Sequence, residues 1–134
     1  MATQQEKTDY INKMALKRGY VQEYHKIIVQ NDYDVTQKFN ALVEEVYLKD
    51  RLLDKQTKEL LLIVVTTVAH GAKSQIQDHI KLALAAGVSP QAILEAIELT
   101  IPHCGGEPFQ RGVLAWQEVV DAPKAEPTVD LKQA

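Results

Sequence analysis

Residues 54–104 read DKQTKELLLIVVTTVAHGAKSQIQDHIKLALAAGVSPQAILEAIELTIPHC, and this stretch decides the fold. Asp54 is placed to cap a helix, with Leu52 and Leu53 before it as a hydrophobic staple. The helix that follows runs to about Ala69. It is apolar nearly all round between Leu60 and Val65, the pattern of a central, buried helix. Its β-branched run from Ile63 to Val68 also suits a strand. The capped start, the length and the lack of any other strand candidate decide for helix. His70-Gly71-Ala72-Lys73 is a break. Ser74 then caps a helix from Gln75 to Ala86, with Ile76, His79, Ile80, Ala83 and Leu84 on its buried face and Gly87 as its stop. Ser89-Pro90 pairs a cap residue with proline in the first turn, so another helix starts there. It buries Ile93, Leu94, Ile97 and Ile101 and breaks near Thr100, because Pro102 cannot continue it.

Working outward, the apolar residues between Val35 and Leu48 are Val35, Phe39, Leu42, Val43, Val46 and Tyr47. Their spacing is that of one amphipathic α-helix. Before it, Thr8 caps a short helix over Asp9–Lys17 that stops at Gly19, and the first seven residues are expected to fray. A second short helix covers Val21–Val29 with Val21, Tyr24, Ile27 and Ile28 at helical spacing. After the Gly105–Pro108 turn, Phe109–Val120 forms the last helix, with Val113, Leu114, Trp116, Val119 and Val120 for packing. The expected organisation is one domain over residues 1–121 and a Pro- and charge-containing tail over 122–134. The expected fold class is all-α, of six or seven helices around a central antiparallel helix pair.

The chain has 134 residues, enough for one real core. Its hydrophobic content of 46% and charged content of 25% are ordinary for a globular protein. A net charge of −3 argues against nucleic acid as the main partner. The apolar run Leu60–Val65 is too short to span a bilayer, and the N-terminus has no apolar signal core. The reading is a cytoplasmic protein with no membrane partner. The single cysteine excludes an internal disulfide.

Four features in order are specific: LDKQTKELLLIVVTTVAHG, the helical His79 in QDHIKLALAAGVS, the Glu-Ala pair at 95–96, and Gly-Gly-x-Pro at 105–108. In them the chain resembles the carboxymuconolactone decarboxylase family, the all-helical superfamily that includes the alkylhydroperoxidase AhpD. The resemblance covers Leu52–Val120, about half of the chain. Redox members carry Cys-x-x-Cys shortly before the helical histidine. Here the matching stretch is Gly71-Ala72-Lys73-Ser74-Gln75, without cysteine, so disulfide-cycling peroxidase chemistry is not expected. The resemblance implies the decarboxylase branch: cofactor-independent loss of CO2 from a small carboxylated lactone or ring acid, in the catabolism of aromatic compounds. It also implies assembly into a homo-oligomer, a trimer or a hexamer.

By the same resemblance, Glu59 and His79 are the catalytic candidates, His79 as general acid and Glu59 as the group that holds its tautomer. Each also has a plain structural role: Glu59 as a first-turn acid facing the helix dipole, His79 as a satisfied core residue. His103 and Cys104 stand where many relatives have an aromatic residue, which makes them candidates for lining the substrate pocket. Arg111 is the cation placed to meet an anionic substrate, and it serves equally as a solvated helix residue. His70 is a further pocket candidate, and a cation there also suits the C-terminal end of its helix. A zinc site from His70, His79 and His103 lacks the usual short ligand spacing, so no metal is expected. The rival reading is a non-catalytic helical oligomer of the same fold that binds a small ligand.

Overall fold

The computed structural model describes residues 1–120, and the expected tail over 122–134 lies outside them. Those residues form helices α1 (Gln4–Arg18), α2 (Glu23–Asn31) and α3 (Tyr33–Val43), a π-helix (Glu44–Leu48), then α4 (Lys55–Val68), α5 (Lys73–Ala85), α6 (Pro90–Glu98), α7 (Ile101–Cys104) and α8 (Gly106–Val120). Seven of the α-helices have nine or more residues, α7 being a single short turn, and no strand occurs among the described residues.

The centre is the α4–α5 pair. Asp54 caps α4 by accepting from the Thr57 N–H at 2.7 Å. Only Ala69–Ala72 separate the two helices, and Gln56 at the start of α4 donates to the Ala86 carbonyl beyond the end of α5 at 2.7 Å. The two therefore run antiparallel. Ile63 from α4 meets Ile76, Ile80 and Ala83 from α5. Ile93 and Ile97 from α6 and Ala115 from α8 complete this core, all of them buried. Gly112 lets α8 approach closely, since a Cβ there would sit 2.5 Å from Ile97 Cγ2. Gly87 takes the left-handed conformation (φ 93°) that ends α5, and Gly19 (φ 82°) does the same for α1.

Several sequence expectations are corrected. α1 starts at Gln4, because Thr3 and Glu6 form a reciprocal capping box, so residues 4–7 are helical rather than frayed. The staple is absent: Leu52 and Leu53 are exposed. Ser74 does not cap α5. Ala72 holds that position, and the Ser74 hydroxyl instead donates to Gln22 Oε1 at 3.2 Å. α8 begins three residues earlier than expected, at Gly106. Leu114 and Ile101 are exposed, while Ala115 is fully buried.

The largest departure lies in the N-terminal half. The apolar face of α3 and the π-helix is open: Phe39 is 52% exposed and Leu42 61%, and Val35 and Val46 are similar. What α3 buries is Thr36 and Asn40. On α2 the buried residues are His25 and Val29, while Tyr24 and Ile27 are exposed. α4 is likewise covered on one side only, with Leu61 and Val65 exposed.

Candidate functional site

Glu59 lies in the second turn of α4 and His79 in the middle of α5, and the antiparallel packing sets them face to face. Both are buried, Glu59 completely. The His79 Nδ1–H donates to Glu59 Oε2 at 2.9 Å. The other carboxylate oxygen, Oε1, accepts from the Tyr47 hydroxyl. Both oxygens of a buried carboxylate are thus satisfied, which its burial requires. Burial pushes the Tyr47 phenol far above its ordinary pKa, and the neighbouring carboxylate adds to this, so Tyr47 stays a donor. Tyr20 and Tyr47 meet the His79 ring edge to face, at 5.6 and 5.9 Å between centroids, and fix its plane.

Tyr47 reaches Glu59 through a local feature that periodicity does not reveal. Over Glu44–Leu48 the helix widens into a π-turn, closed by the Lys49 N–H donating to the Glu44 carbonyl at 2.9 Å. The end of that turn is clamped by Lys58, whose ammonium donates to the carbonyls of Tyr47 (3.2 Å) and Lys49 (2.7 Å). Lys58 precedes Glu59, so one turn of α4 supplies the carboxylate and holds the backbone of its tyrosine partner.

With Nδ1 donating to Glu59, the second ring nitrogen of His79 is the one free to exchange a proton. Nε2 has no hydrogen-bond partner among the described residues. His79 lines a cavity of about 360 Å³ together with Arg18, Tyr20, Tyr47, Gln75 and apolar side chains of α3, the π-helix and α4. That arrangement can hold a small, mostly apolar molecule beside an imidazole oriented by a carboxylate.

The other four candidates do not join this cavity. Glu59 and His70 are eleven positions apart along and just past α4, about 16 Å by helical rise. His70 adopts a left-handed conformation (φ 59°) at the end of α4, with the Gly71 N–H donating to the Thr66 carbonyl at 2.8 Å. Arg111 donates to the Thr67 carbonyl at 2.6 Å, contacts His70 Nδ1 at 2.7 Å and pairs with Glu107 at 2.9 Å. Arg111 thereby satisfies the C-terminal end of α4. His103 and Cys104 are exposed on α7.

A second buried polar cluster escaped the sequence reading. Arg18, at the last residue of α1, is 4% exposed. It donates to Asn40 Oδ1 and contacts His25 Nε2 at 3.0 Å. Asn40 in turn donates to the Tyr10 hydroxyl and to Glu44, each at 3.0 Å. The Arg18 Nε is buried without a partner. The residues carried no local signal: Arg18 read as a helix end, and Asn40 fell off the apolar face. Burial lowers the His25 pKa to about 4, and the Arg18 charge adds to the effect. A neutral His25 therefore contributes stability that is complete above the unfolded-state value near 6.5 and is lost as pH falls through about 4. We expect the loss of stability between pH 7 and pH 4 to be smaller in His25→Gln by on the order of 3 kcal/mol. Urea denaturation at a series of pH values measures it, and parallel pH profiles for the two proteins would count against it.

No group of three or more His, Cys, Asp or Glu able to hold a metal ion occurs among the described residues, and no helix among them is long and apolar enough to cross a membrane. In comparisons with known proteins, no curated protein and no solved structure matches the chain. One family model does match, that of the carboxymuconolactone decarboxylase family, over residues 33–118.

Proposed function

Since this chain belongs to the carboxymuconolactone decarboxylase family, we propose that it is a cofactor-independent decarboxylase acting on a small carboxylated lactone or related ring acid. The observation that carries the reading is the fully buried Glu59 bonded to His79 Nδ1, with His79 lining a cavity of about 360 Å³. Loss of CO2 leaves the bonding electron pair on carbon, spread into an extended enolate by the ring carbonyl. One proton must then reach carbon. His79, protonated on both nitrogens, gives the Nε2 proton, and the Glu59 carboxylate stabilises the imidazolium beforehand through Nδ1–H. Tyr47 keeps the second carboxylate oxygen occupied, so Glu59 is held toward His79 rather than toward the substrate. The apolar walls of the cavity disfavour a charged carboxylate and favour neutral CO2.

The test is CO2 release from 4-carboxymuconolactone by the purified protein. Release together with the decarboxylated lactone supports the reading. Its absence, with the protein folded, removes the named reaction and leaves chemistry on a different ring compound or the non-catalytic ligand-binding oligomer.

We also propose that the protein works as a homo-oligomer, a trimer or a hexamer. The support is the open apolar face of Val35, Phe39, Leu42 and Val46, together with the exposed Leu61 and Val65 of α4. Exposed apolar side chains in this number are characteristic of a surface that is covered by another chain. Light scattering at micromolar concentration is expected to give a mass of three or six chains, and a stable monomer of 15.0 kDa would overturn this.

A further inference from the structure

We propose that Arg18 anchors the carboxylate of a small, mostly apolar acid lying in the 360 Å³ cavity between Arg18 and His79. This rests on reading that cavity as the ligand site, and it does not require that the ligand be decarboxylated. Arg18 also lies outside residues 33–118, which the family model matches.

The first support is an uncompensated charge. A guanidinium stays protonated in proteins, and burying it without a counter-charge is costly. Arg18 is 4% exposed, and it forms no ion pair with any carboxylate among the described residues. Its side-chain partners are an amide oxygen of Asn40 and the ring of His25, and Nε has none.

The second support is a conflict of donors. The Gln22 N–H donates to His25 Nδ1 at 2.9 Å, so the neutral ring carries its proton on Nε2. Nε2 faces Arg18 Nη1 at 3.0 Å, and Nη1 is a donor as well. Two donors turned on each other lack an acceptor. His25 lines the neighbouring groove and not this cavity, so a carboxylate in the cavity relieves the conflict from the Arg18 side, accepting from the guanidinium and bringing the missing negative charge.

The third support is placement. Arg18 and His79 line the same cavity, and its other walls include Phe39, Leu42, Val46 and Leu62. Glu59 offsets the charge of a protonated His79, whereas the Arg18 charge has no direct counter-ion among the described residues, so an anionic group is favoured at the Arg18 end. The ligand is thus an acid with its head on Arg18 and an apolar body extending toward His79. If the protein is a decarboxylase, the group on Arg18 is not the one lost, because pairing with a guanidinium stabilises the ionised carboxylate against departure. The substrate is then a diacid, one carboxylate held and the other released beside His79. The chemistry of 4-carboxymuconolactone, which has two carboxylates, meets this requirement.

Benzoate and its neutral analogue benzamide test the anchor directly, by titration followed through backbone amide resonances in the full-length protein. Benzoate is expected to shift Tyr20, Gln75 and His79, and benzamide at equal concentration is expected to leave them in place. Arg18→Gln should weaken benzoate about tenfold or more, and Arg18→Lys, which keeps the charge but not the fork, should recover part of that loss. The proposal fails if wild type does not bind benzoate, if benzamide binds as well as benzoate, or if folded Arg18→Gln binds benzoate unchanged. It fails also if the shifts fall on Ile27, Ile28 and Thr36, which would put the acid in the separate groove of about 410 Å³ beyond Arg18. Should Arg18→Gln not fold, the wild-type comparison and Arg18→Lys decide. Benzoate binding through Arg18 without CO2 release from 4-carboxymuconolactone overturns that decarboxylation and keeps the anchor. Release with unchanged KM in Arg18→Gln overturns the anchor and keeps the decarboxylase.

Discussion

His79→Gln is expected to lower kcat for CO2 release from 4-carboxymuconolactone by about a hundredfold to ten-thousandfold, with the fold intact. Glutamine is the informative substitution because its amide N–H can still donate to Glu59 Oε2. The buried carboxylate then keeps both of its donors, Tyr47 and residue 79. What the amide cannot do is give up a proton to carbon. His79→Ala removes the same proton but also deprives Glu59 of a partner, so its loss of activity mixes chemistry with destabilisation. Steady-state kinetics beside a thermal melt separate the two. Turnover by His79→Gln within a few-fold of wild type would take His79 out of the mechanism.

The largest stability effect is expected at Glu59. Glu59→Ala empties a fully buried site and leaves the Tyr47 hydroxyl and the His79 Nδ1–H without an acceptor. Breaking a buried, hydrogen-bonded ionic arrangement of this sort costs about 3–5 kcal/mol. For a chain of this size that corresponds to a fall in Tm of about 10–20 °C. Glu59→Gln keeps the shape and one acceptor oxygen, so it should lose clearly less. Calorimetry of the three proteins checks the order, and an alanine variant melting within about 2 °C of wild type would mean that the buried arrangement contributes little to folding.

The two halves of the chain differ in how far they could be read. In α4, α5 and α6 the caps at Asp54 and Ser89, the stop at Gly87 and the buried Ile76, Ile80, Ile93 and Ile97 all follow from local rules. The buried isoleucines of these helices face one another, so periodicity and burial agree for them, although one side of α4 stays open at Leu61 and Val65. In α2 and α3 they part. The apolar side of α3 is open, and the side that packs carries Thr36 and Asn40. A hydrophobic stripe shows that a face is to be covered, but not whether its own chain covers it. Glu59 and His79 could be paired through the resemblance, since they are twenty positions apart. Tyr47 could not, because the wide turn that aims it breaks the 3.6-residue period on which the reading of Val35–Leu48 relied. Arg18, His25 and Asn40 come from three helices, and only tertiary packing joins them. Arg111 was legible as a cation, but the Thr67 carbonyl it meets is set by the approach of α8 to α4.

The π-turn at Glu44–Leu48 also bears on how this protein can change over time. A turn of that kind holds one residue more than an α-turn spanning the same contour. Dropping a residue such as Glu45, which is exposed, would return the segment to ordinary helical winding instead of tearing it. The wide turn is part of what aims Tyr47 at Glu59, so its loss would leave the tyrosine held only by Lys58, which grips the backbone on the downstream side. Chain length in this stretch is therefore tied to the tyrosine's reach. A single insertion or deletion here would act on the catalytic candidates while touching neither of them.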